Sequence, residues 1–279
     1  MGSKKNMELY TLSIRIGADG FCFSLYNSID KSYKGFMEYS VDENLTLDLN
    51  FSKAFNSLPF LKENYKEINI IFSDSEYTTV PDSFFCSDTA KDFLKYNLPS
   101  FENNTQLLTN HIPKFGFYLL SHSDKTLYFN LKEKFPSAIF HCRIAPIALY
   151  LSNLCTIDNI GRMYILQKES SIDLLCCRNG KLIFLNSFFG IDYNDFLYYI
   201  IGVWKSSGFS KKNDLLFLIK EKCSDNRFIT KLNEFIENIS EFRIENQINY
   251  LKEENPEGFE PNMDFASVPS EILAVTLCE

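Results

Sequence analysis

The amino-acid sequence predicts an α/β protein that contains one β/α unit twice. Residues 8–41 hold three runs in which apolar and polar side chains alternate, a pattern typical of an antiparallel meander. A helical stretch at 51–65 and an apolar strand at 68–73 follow. After Gly161 the same order of three strands, a helix and a strand returns. A duplication is the simplest account of this repeated order.

Each predicted element of the first copy has its own pattern. Alternation predicts the strands, spacing of three and four residues predicts the first helix, and a Pro near its start favours the closing helix. In order, the predicted elements are strands at 8–16, 20–26 and 34–41, a helix at 51–65, strands at 68–73 and 138–142, and a closing helix at 144–154.

The second copy shows the same signals more clearly. Asn179-Gly180 between two alternating strands indicates a tight hairpin, because this turn needs two residues at positive φ. The run LLFLI is apolar throughout, as a strand covered on both faces must be. The predicted elements are strands at 162–169, 171–177 and 181–188, a helix at 192–208, a strand at 214–220, a helix at 225–237, a strand at 241–244 and a helix at 269–277.

The predicted domains are a tail at 1–7, a first lobe at 8–157 and a second lobe at 158–279. About sixty residues, 76–136, separate two strands of the first lobe. Because they carry a helical pattern and a hairpin-like run (115–130), we interpret them as an inserted subdomain. The acidic segment at 252–265, with its Pro and Gly residues, is predicted to be an exposed loop.

Composition limits the class of protein. A net charge of −8 disfavours a broad nucleic-acid surface, and no apolar run is long enough to cross a bilayer. The eight cysteines form no CxxC pair and lie mostly in apolar runs, which is typical of reduced, buried thiols. The three histidines form no metal motif. We therefore expect a soluble, unexported, cytoplasmic protein without membrane insertion or nucleic-acid binding.

Two stretches carry a resemblance to a known group of proteins. FSDSEYTTVPDSFF (72–85) resembles a signature of an uncharacterised bacterial family of actin-like ATPase fold, and SSIDLLCCRNGKLIFLNSFFG (170–190) is similar to the second hairpin of the pilus-assembly actin-like ATPases. The resemblance implies a duplicated ribonuclease-H-like fold. Each of its two lobes would have a mixed five-stranded sheet flanked by helices.

In the actin-like ATPases that this chain resembles, the first phosphate-binding hairpin normally reads D-x-G-[ST]. Its Asp holds Mg²⁺, and its small residues let the phosphates approach the backbone. This chain has Arg15, Ile16, Gly17 and Ala18 there. An Arg reverses the charge where a divalent cation should bind, so metal-assisted phosphoryl transfer is not expected. Asp19 is either a displaced ligand or an ordinary turn residue.

The other two nucleotide contacts are also altered. In LQKESSID (166–173), Lys168-Glu169-Ser170 replace the glycines of the second hairpin, and long side chains obstruct the approach of a phosphate. Ser171 and Asp173 are either substitutes for the family's polar residues or residues of a strand face. The Gly-Gly turn expected after LLFLI is missing, since the next glycine is Gly258.

These changes predict a pseudo-ATPase without catalytic residues, metal ligands or cofactor, which serves as a protein-binding or scaffolding module. The cofactor-binding candidates are Gly17, Asp19, Ser171 and Asp173. The alternative is a divergent ATP-binding ATPase or kinase, with Mg²⁺ held by Asp19, Asp173 or Asp74 in a rearranged pocket. A third hypothesis is a small metabolite in the cleft between the lobes. The segment 76–136 is the expected contact surface for a protein partner or a homodimer.

Overall fold

The computed structural model describes residues 7–74, 76–98, 100–102, 104–168, 170–219, 226–247, 249–250 and 268–278. The predictions for most of the N-terminal tail and for the loop at 252–265 lie outside the described residues, as does the start of the helix predicted at 225–237.

The described part of the first lobe follows the predicted order. Its elements are β1 (Tyr10–Gly17), β2 (Gly20–Asn27), β3 (Ser32–Tyr39), α1 (Leu47–Ser57), β4 (Glu67–Phe72), β5 (Tyr77–Pro81), α2 (Ala90–Asn97), β6 (Thr105–Ile112), β7 (Phe117–Asp124), α3 (Lys125–Lys134), β8 (Ile139–Cys142) and α4 (Ile144–Leu154).

The second half of the chain repeats the pattern. Its elements are β9 (Arg162–Gln167), β10 (Ser171–Arg178), β11 (Lys181–Phe189), α5 (Tyr193–Ser206), β12 (Leu215–Ile219), α6 (Asn226–Asn233), β13 (Ile239–Phe242), β14 (Asn249–Tyr250) and α7 (Ser270–Thr276). Of these, β14 joins the first sheet, and α7 packs against α4, β1 and β4.

The two large sheets have the same topology. The first has the order β14-β3-β2-β1-β4-β8 and the second the order β11-β10-β9-β12-β13. In each, three antiparallel strands continue into two parallel ones. The prediction of two mixed five-stranded sheets is confirmed, and the short β14 adds a sixth strand to the first sheet. A third sheet, β5-β7-β6, forms the inserted sheet.

The Asn-Gly hairpin is confirmed by its backbone angles. Asn179 has φ 55° and Gly180 has φ 70°, the left-handed region that this turn requires. The two adjacent cysteines of β10 lie on opposite faces of the sheet. Cys176 packs in the core of the second lobe, and Cys177 packs in the core between the lobes. The described cysteines are all free thiols.

Three predicted elements differ from the structure. The helix predicted at 51–65 spans Leu47–Ser57, and Leu58 is extended because Pro59 disfavours the helical conformation of the residue before it. The second strand of the hairpin predicted at 115–130 is instead the start of α3, whose Leu127 N–H binds the cap residue Asp124 at 2.8 Å. The strand predicted at 241–244 lies two residues earlier, as β13.

Three apolar cores organise the molecule. One lies between the first sheet and α1 and α3, and includes Leu127 and Leu131 of α3. Another lies between the second sheet and α5 and contains Trp204. The third joins the lobes through α4 and α7, which pack against each other. The closing helices therefore fix how the two hairpins face one another. None of the helices in the described part of the chain is long and apolar enough to span a membrane.

Candidate functional site

Arg15, near the end of β1, is the centre of a polar cluster at the first hairpin. Its Nη1 and Nη2 bind the two carboxylate oxygens of Asp19 at 2.9 and 3.0 Å. Nη2 also donates to Ser73 Oγ at 2.7 Å, and Nε donates to Glu271 Oε1 at 3.0 Å. Glu271 is 1% exposed and comes from α7, near the C-terminal end of the chain. The guanidinium thus joins the first hairpin to α7.

The charges of this cluster support each other. Burial alone would lower the pKa of Arg15, but the hydrogen bonds with Asp19 and the charge of Glu271 raise it above its usual value. Partial burial would raise the pKa of Asp19, but the hydrogen bonds from Arg15 hold it below its usual range. Asp19 is therefore ionised at neutral pH and its charge is already neutralised by Arg15.

The backbone of the first turn is also engaged. Ala18 N–H donates to Asp74 Oδ2 at 2.8 Å. In a phosphate-binding hairpin, a backbone N–H of this kind would donate to a phosphate oxygen, and here it donates to a carboxylate instead. A Cβ at Gly17 would come within 2.3 Å of Asp19 Oδ1 and 3.2 Å of Ser73 Cβ. The glycine therefore makes room for the folded-back Asp19 side chain.

The second hairpin reaches across to the first lobe through Lys168. Its Nζ donates to the carbonyl oxygen of Ser73 at 2.7 Å and lies 3.8 Å from Asp74 Oδ1. Ser171 begins β10, and its carbonyl oxygen accepts the Lys168 N–H at 2.8 Å. The residue that replaces the expected glycine is thus an interlobe contact.

Asp173 lies on β10 and is 1% exposed. It accepts hydrogen bonds from Tyr77 Oη at 3.0 Å and Ser187 Oγ at 2.6 Å, and it forms an ion pair with Arg143 Nη2. Burial raises the pKa of Tyr77, which keeps this phenol a donor. Three donors from three different elements therefore surround the carboxylate.

Two buried ion pairs involve the closing helices. Arg143 at the start of α4 pairs with Asp173 on β10 of the second sheet. Glu271 of α7 pairs with Arg15 on β1 of the first sheet, which α7 also contacts. The first pair therefore links the start of α4 to the second sheet, and the second pair holds α7 on the first sheet.

The structure brings the predicted site residues together in two groups. Gly17 and Asp19 lie with Arg15, whereas Ser171 and Asp173 border a cavity of about 470 Å³ between the lobes. Sequence reasoning missed Arg143, Tyr77 and Glu271. The sequence offers one local indication for Arg143, its position between the end of strand β8 and the start of α4. In α/β proteins, ligands bind at the ends of strands where such connections lie.

Among the described residues, no group of three His, Cys, Asp or Glu side chains has the arrangement needed to hold a metal ion. His141 is partly buried, with Nε2 2.8 Å from Asn69 Oδ1, and desolvation lowers its pKa to about 4.

Comparison with known proteins agrees with this architecture. A Bacteroides thetaiotaomicron crystal structure, described as a protein with actin-like ATPase fold and unknown function, is similar over 100% of both chains, with 28% identity and a TM-score of 0.81. A structure of the PilM-PilN type IV pilus biogenesis complex is similar over 97% of both chains, with 11% identity and a TM-score of 0.55.

The fold is therefore the actin-like ATPase fold, and the resemblance inferred from residues 72–85 and 170–190 is confirmed. No curated protein matches the sequence. Residues 2–239 match the family described as protein of unknown function (DUF3822). The match extends over most of the chain, and the chain belongs to this family.

Proposed function

We propose that this protein is a non-hydrolysing member of the actin-like ATPase fold that acts as a protein-binding scaffold. The observation that carries the proposal is the Arg15 cluster. A guanidinium stands at the position where the fold's ATPases have a metal-binding carboxylate, and it is held there by Asp19, Ser73 and Glu271.

Electrostatics opposes metal binding at this hairpin. A divalent cation at this hairpin would lie beside the guanidinium of Arg15, whose like charge disfavours it and which already neutralises Asp19. Asp19 does not substitute as a ligand, because both of its carboxylate oxygens accept hydrogen bonds from Arg15. Mg²⁺ would have to break this pair before Asp19 could bind it.

The interlobe contacts support a static role. ATPases of two-lobed architecture open and close around their ligand. Here the Arg143–Asp173 pair and the Lys168 contact with Ser73 join the two lobes directly. Such a molecule presents a constant surface to a partner.

The inserted segment 76–136 is the proposed partner surface. Beside its sheet it carries Phe84, 70% exposed, and Tyr96 on α2, 90% exposed. Exposed aromatic side chains of this kind are enriched in protein interfaces. The PilM-PilN structure shows that a protein of this fold forms a protein complex, which supports the proposal by analogy of fold alone.

Calorimetric titration with Mg-ATP tests the absence of nucleotide chemistry. The wild-type protein and the Arg15→Lys variant, which keeps the charge, are expected to release no binding heat with Mg-ATP and no phosphate. Arg15→Asp restores the missing carboxylate and serves as the comparison. Micromolar binding to the wild-type protein that requires magnesium would overturn the proposal and favour the divergent ATPase.

A further inference from the structure

Four exposed aliphatic side chains lie where the two halves of the chain are connected. Leu154 ends α4 and is 38% exposed, and Ile157 and Ile160, in the connection to β9, are 88% and 38% exposed. Ile183, near the start of β11, is 42% exposed. Single exposed apolar residues are common, but a group of them marks an interaction site. We call these four side chains the linker surface.

Hydrogen bonds hold the two segments of the linker surface side by side. Asn179 N–H donates to the carbonyl oxygen of Asp158 at 3.0 Å, and Gly180 N–H donates to that of Thr156 at 3.0 Å. A Cβ at Gly180 would lie 3.4 Å from Ile157 Cγ1. Ile157 therefore extends into solvent from a backbone that is bound on either side of it. A preorganised apolar side chain of this kind loses little conformational entropy when a partner covers it.

Two lysines lie beside the linker surface. Lys114, in the 3₁₀ turn Pro113–Phe115, donates to the carbonyl oxygen of Asn153 at 3.2 Å, one residue before the end of α4. Lys181 begins β11, directly after the Asn-Gly turn. Both side chains are exposed, and neither forms an ion pair with any residue that the structure describes. Their charges are available to a partner.

The acidic residue of the connection does not offset these lysines. Both carboxylate oxygens of Asp158 accept hydrogen bonds from Arg162, whose Nη1 and Nη2 lie 2.8 Å from them. These bonds hold the pKa of Asp158 below its usual range, so the carboxylate is ionised and paired. The linker surface therefore has a basic border on a chain whose net charge is −8. Carboxylates of a partner complement such a border.

The edge of the second sheet disfavours a partner strand at this surface. The pairing of β10 with β11 shifts its register between Cys176 and Cys177, which leaves Ile183 as the extra residue of a β-bulge. A bulge interrupts the regular edge that strand addition needs. A helix needs no such edge, because its apolar residues at spacings of three and four pack directly on exposed side chains.

We propose that the linker surface is a docking site for an amphipathic helix of a partner protein, whose apolar stripe is flanked by carboxylates. The stripe packs on the four aliphatic side chains, and the carboxylates bind Lys114 and Lys181. This inference adds a second contact surface to the scaffold proposal. Because the surface includes neither Arg15 nor the exposed aromatic residues Phe84 and Tyr96, its test and those of the scaffold proposal fail independently.

Two matched helical peptides test the proposal. Both present the same leucine stripe over about 18 residues, roughly five helical turns, and the residues beside the stripe are glutamates in one peptide and lysines in the other. Fluorescence anisotropy at constant ionic strength measures their binding to the full chain. The glutamate peptide is expected to bind saturably and at least about tenfold more tightly than the lysine peptide. Non-specific attraction to a chain of net charge −8 would give the opposite order.

Methyl NMR spectra of isoleucine-labelled protein locate the bound peptide. The methyl signals of Ile157, Ile160 and Ile183 are expected to shift saturably as the glutamate peptide is added. Those of Ile29 and Ile191, which are exposed elsewhere on the molecule, are expected to stay unchanged.

Variants at exposed positions measure what each group contributes. Ile157→Glu removes the most exposed aliphatic side chain and places a like charge against the glutamate peptide, so it is expected to weaken binding at least about tenfold. Lys181→Glu is expected to weaken binding about threefold or more. Ile191→Glu and Lys125→Glu, which make the same changes at other exposed positions, are the matched controls and should bind as the wild type does. Circular dichroism establishes that each variant is folded.

Several results would overturn the proposal. They are no saturable binding of the glutamate peptide, equal or tighter binding of the lysine peptide, methyl shifts only at Ile29 or Ile191, and wild-type affinity in Ile157→Glu. Light scattering tests a second copy of the chain as the occupant. Self-association of the wild-type protein that Ile157→Glu abolishes would assign the surface to a homodimer and overturn its assignment to a partner helix.

Discussion

At the scale of single residues, the altered chemistry depends on Arg15 and on the groups that neutralise it. The charge is accommodated because Asp19 and Glu271 supply two carboxylates and Ser73 a hydroxyl. A buried charge is tolerated only when it is paired and hydrogen-bonded in this way. With these partners, Arg15 has a structural role, which an arginine without them would not have.

The partly buried His141 gives a pH prediction. Its folded pKa of about 4 lies below the ordinary value of 6.5, so the unfolded chain binds a proton there before the folded chain does. The free energy of unfolding should therefore fall as the pH drops from about 6.5 to about 4, by on the order of 1–2 kcal/mol from this residue.

Denaturant titrations at pH 7.5 and pH 5.0 measure this effect. His141→Gln should lose most of that pH dependence, whereas His111→Gln, at an exposed position, should behave as the wild type does. Equal pH slopes for wild type and His141→Gln would contradict the assignment.

At the scale of elements, α4 and α7 hold the two lobes together. Both are almost entirely buried, and they pack against one another in the central core. Arg143 lies just before the first residue of α4, and Glu271 lies in the first turn of α7. The N-terminal end of each helix therefore carries one member of a buried ion pair. The position of these side chains follows from where the helices begin.

The Arg143–Asp173 pair gives a prediction at this scale. Arg143→Met leaves a carboxylate without its cation in a buried site and should lower the free energy of unfolding by about 3–5 kcal/mol. Adding Asp173→Asn should recover most of the loss, because the amide oxygen still accepts from Tyr77 and Ser187 and no charge remains unpaired. A double-mutant cycle in denaturant measures the coupling, and additive effects of the two changes would refute the pair's role.

Element types were predictable wherever the apolar period was clear. The hairpin at Asn179-Gly180 and the helix at 144–154 needed only local signals. The hairpin predicted at 115–130 failed because an alternating run ends at Asp124, whose side chain caps a helix. Here a polar side chain after a strand starts a helix, and alternation alone does not reveal it.

At the scale of the whole molecule, the duplication places two hairpins opposite each other and the inserted sheet beside the cavity. Tyr77, the first residue of β5, reaches Asp173 of the second lobe, so the inserted sheet is tied to the cleft. A partner bound on this sheet would therefore contact an element that also lines the cavity.

Surface variants test whether this sheet is the partner-binding face. Phe84→Ser combined with Tyr96→Ser should abolish the crosslinks that the wild-type protein forms with its partner in cells, without lowering thermal stability. Tyr198→Ser, at a position 76% exposed on the second lobe, is the matched control and should keep them. Loss of the crosslinks only in the control would place the partner on the other lobe. Light scattering on the purified variants distinguishes a homodimer from a heterologous partner.

The sequence by itself determined the duplicated α/β order, the missing metal carboxylate at Arg15 and the crowded second hairpin, because these features depend on local period and on residue identity. Only the tertiary structure decided what replaces the lost chemistry. Arg15 meets Glu271, which lies 256 positions further along the chain, and Arg143 meets Asp173 across the cleft. Such pairs form when two sheets pack, and no local pattern encodes which charges will face each other.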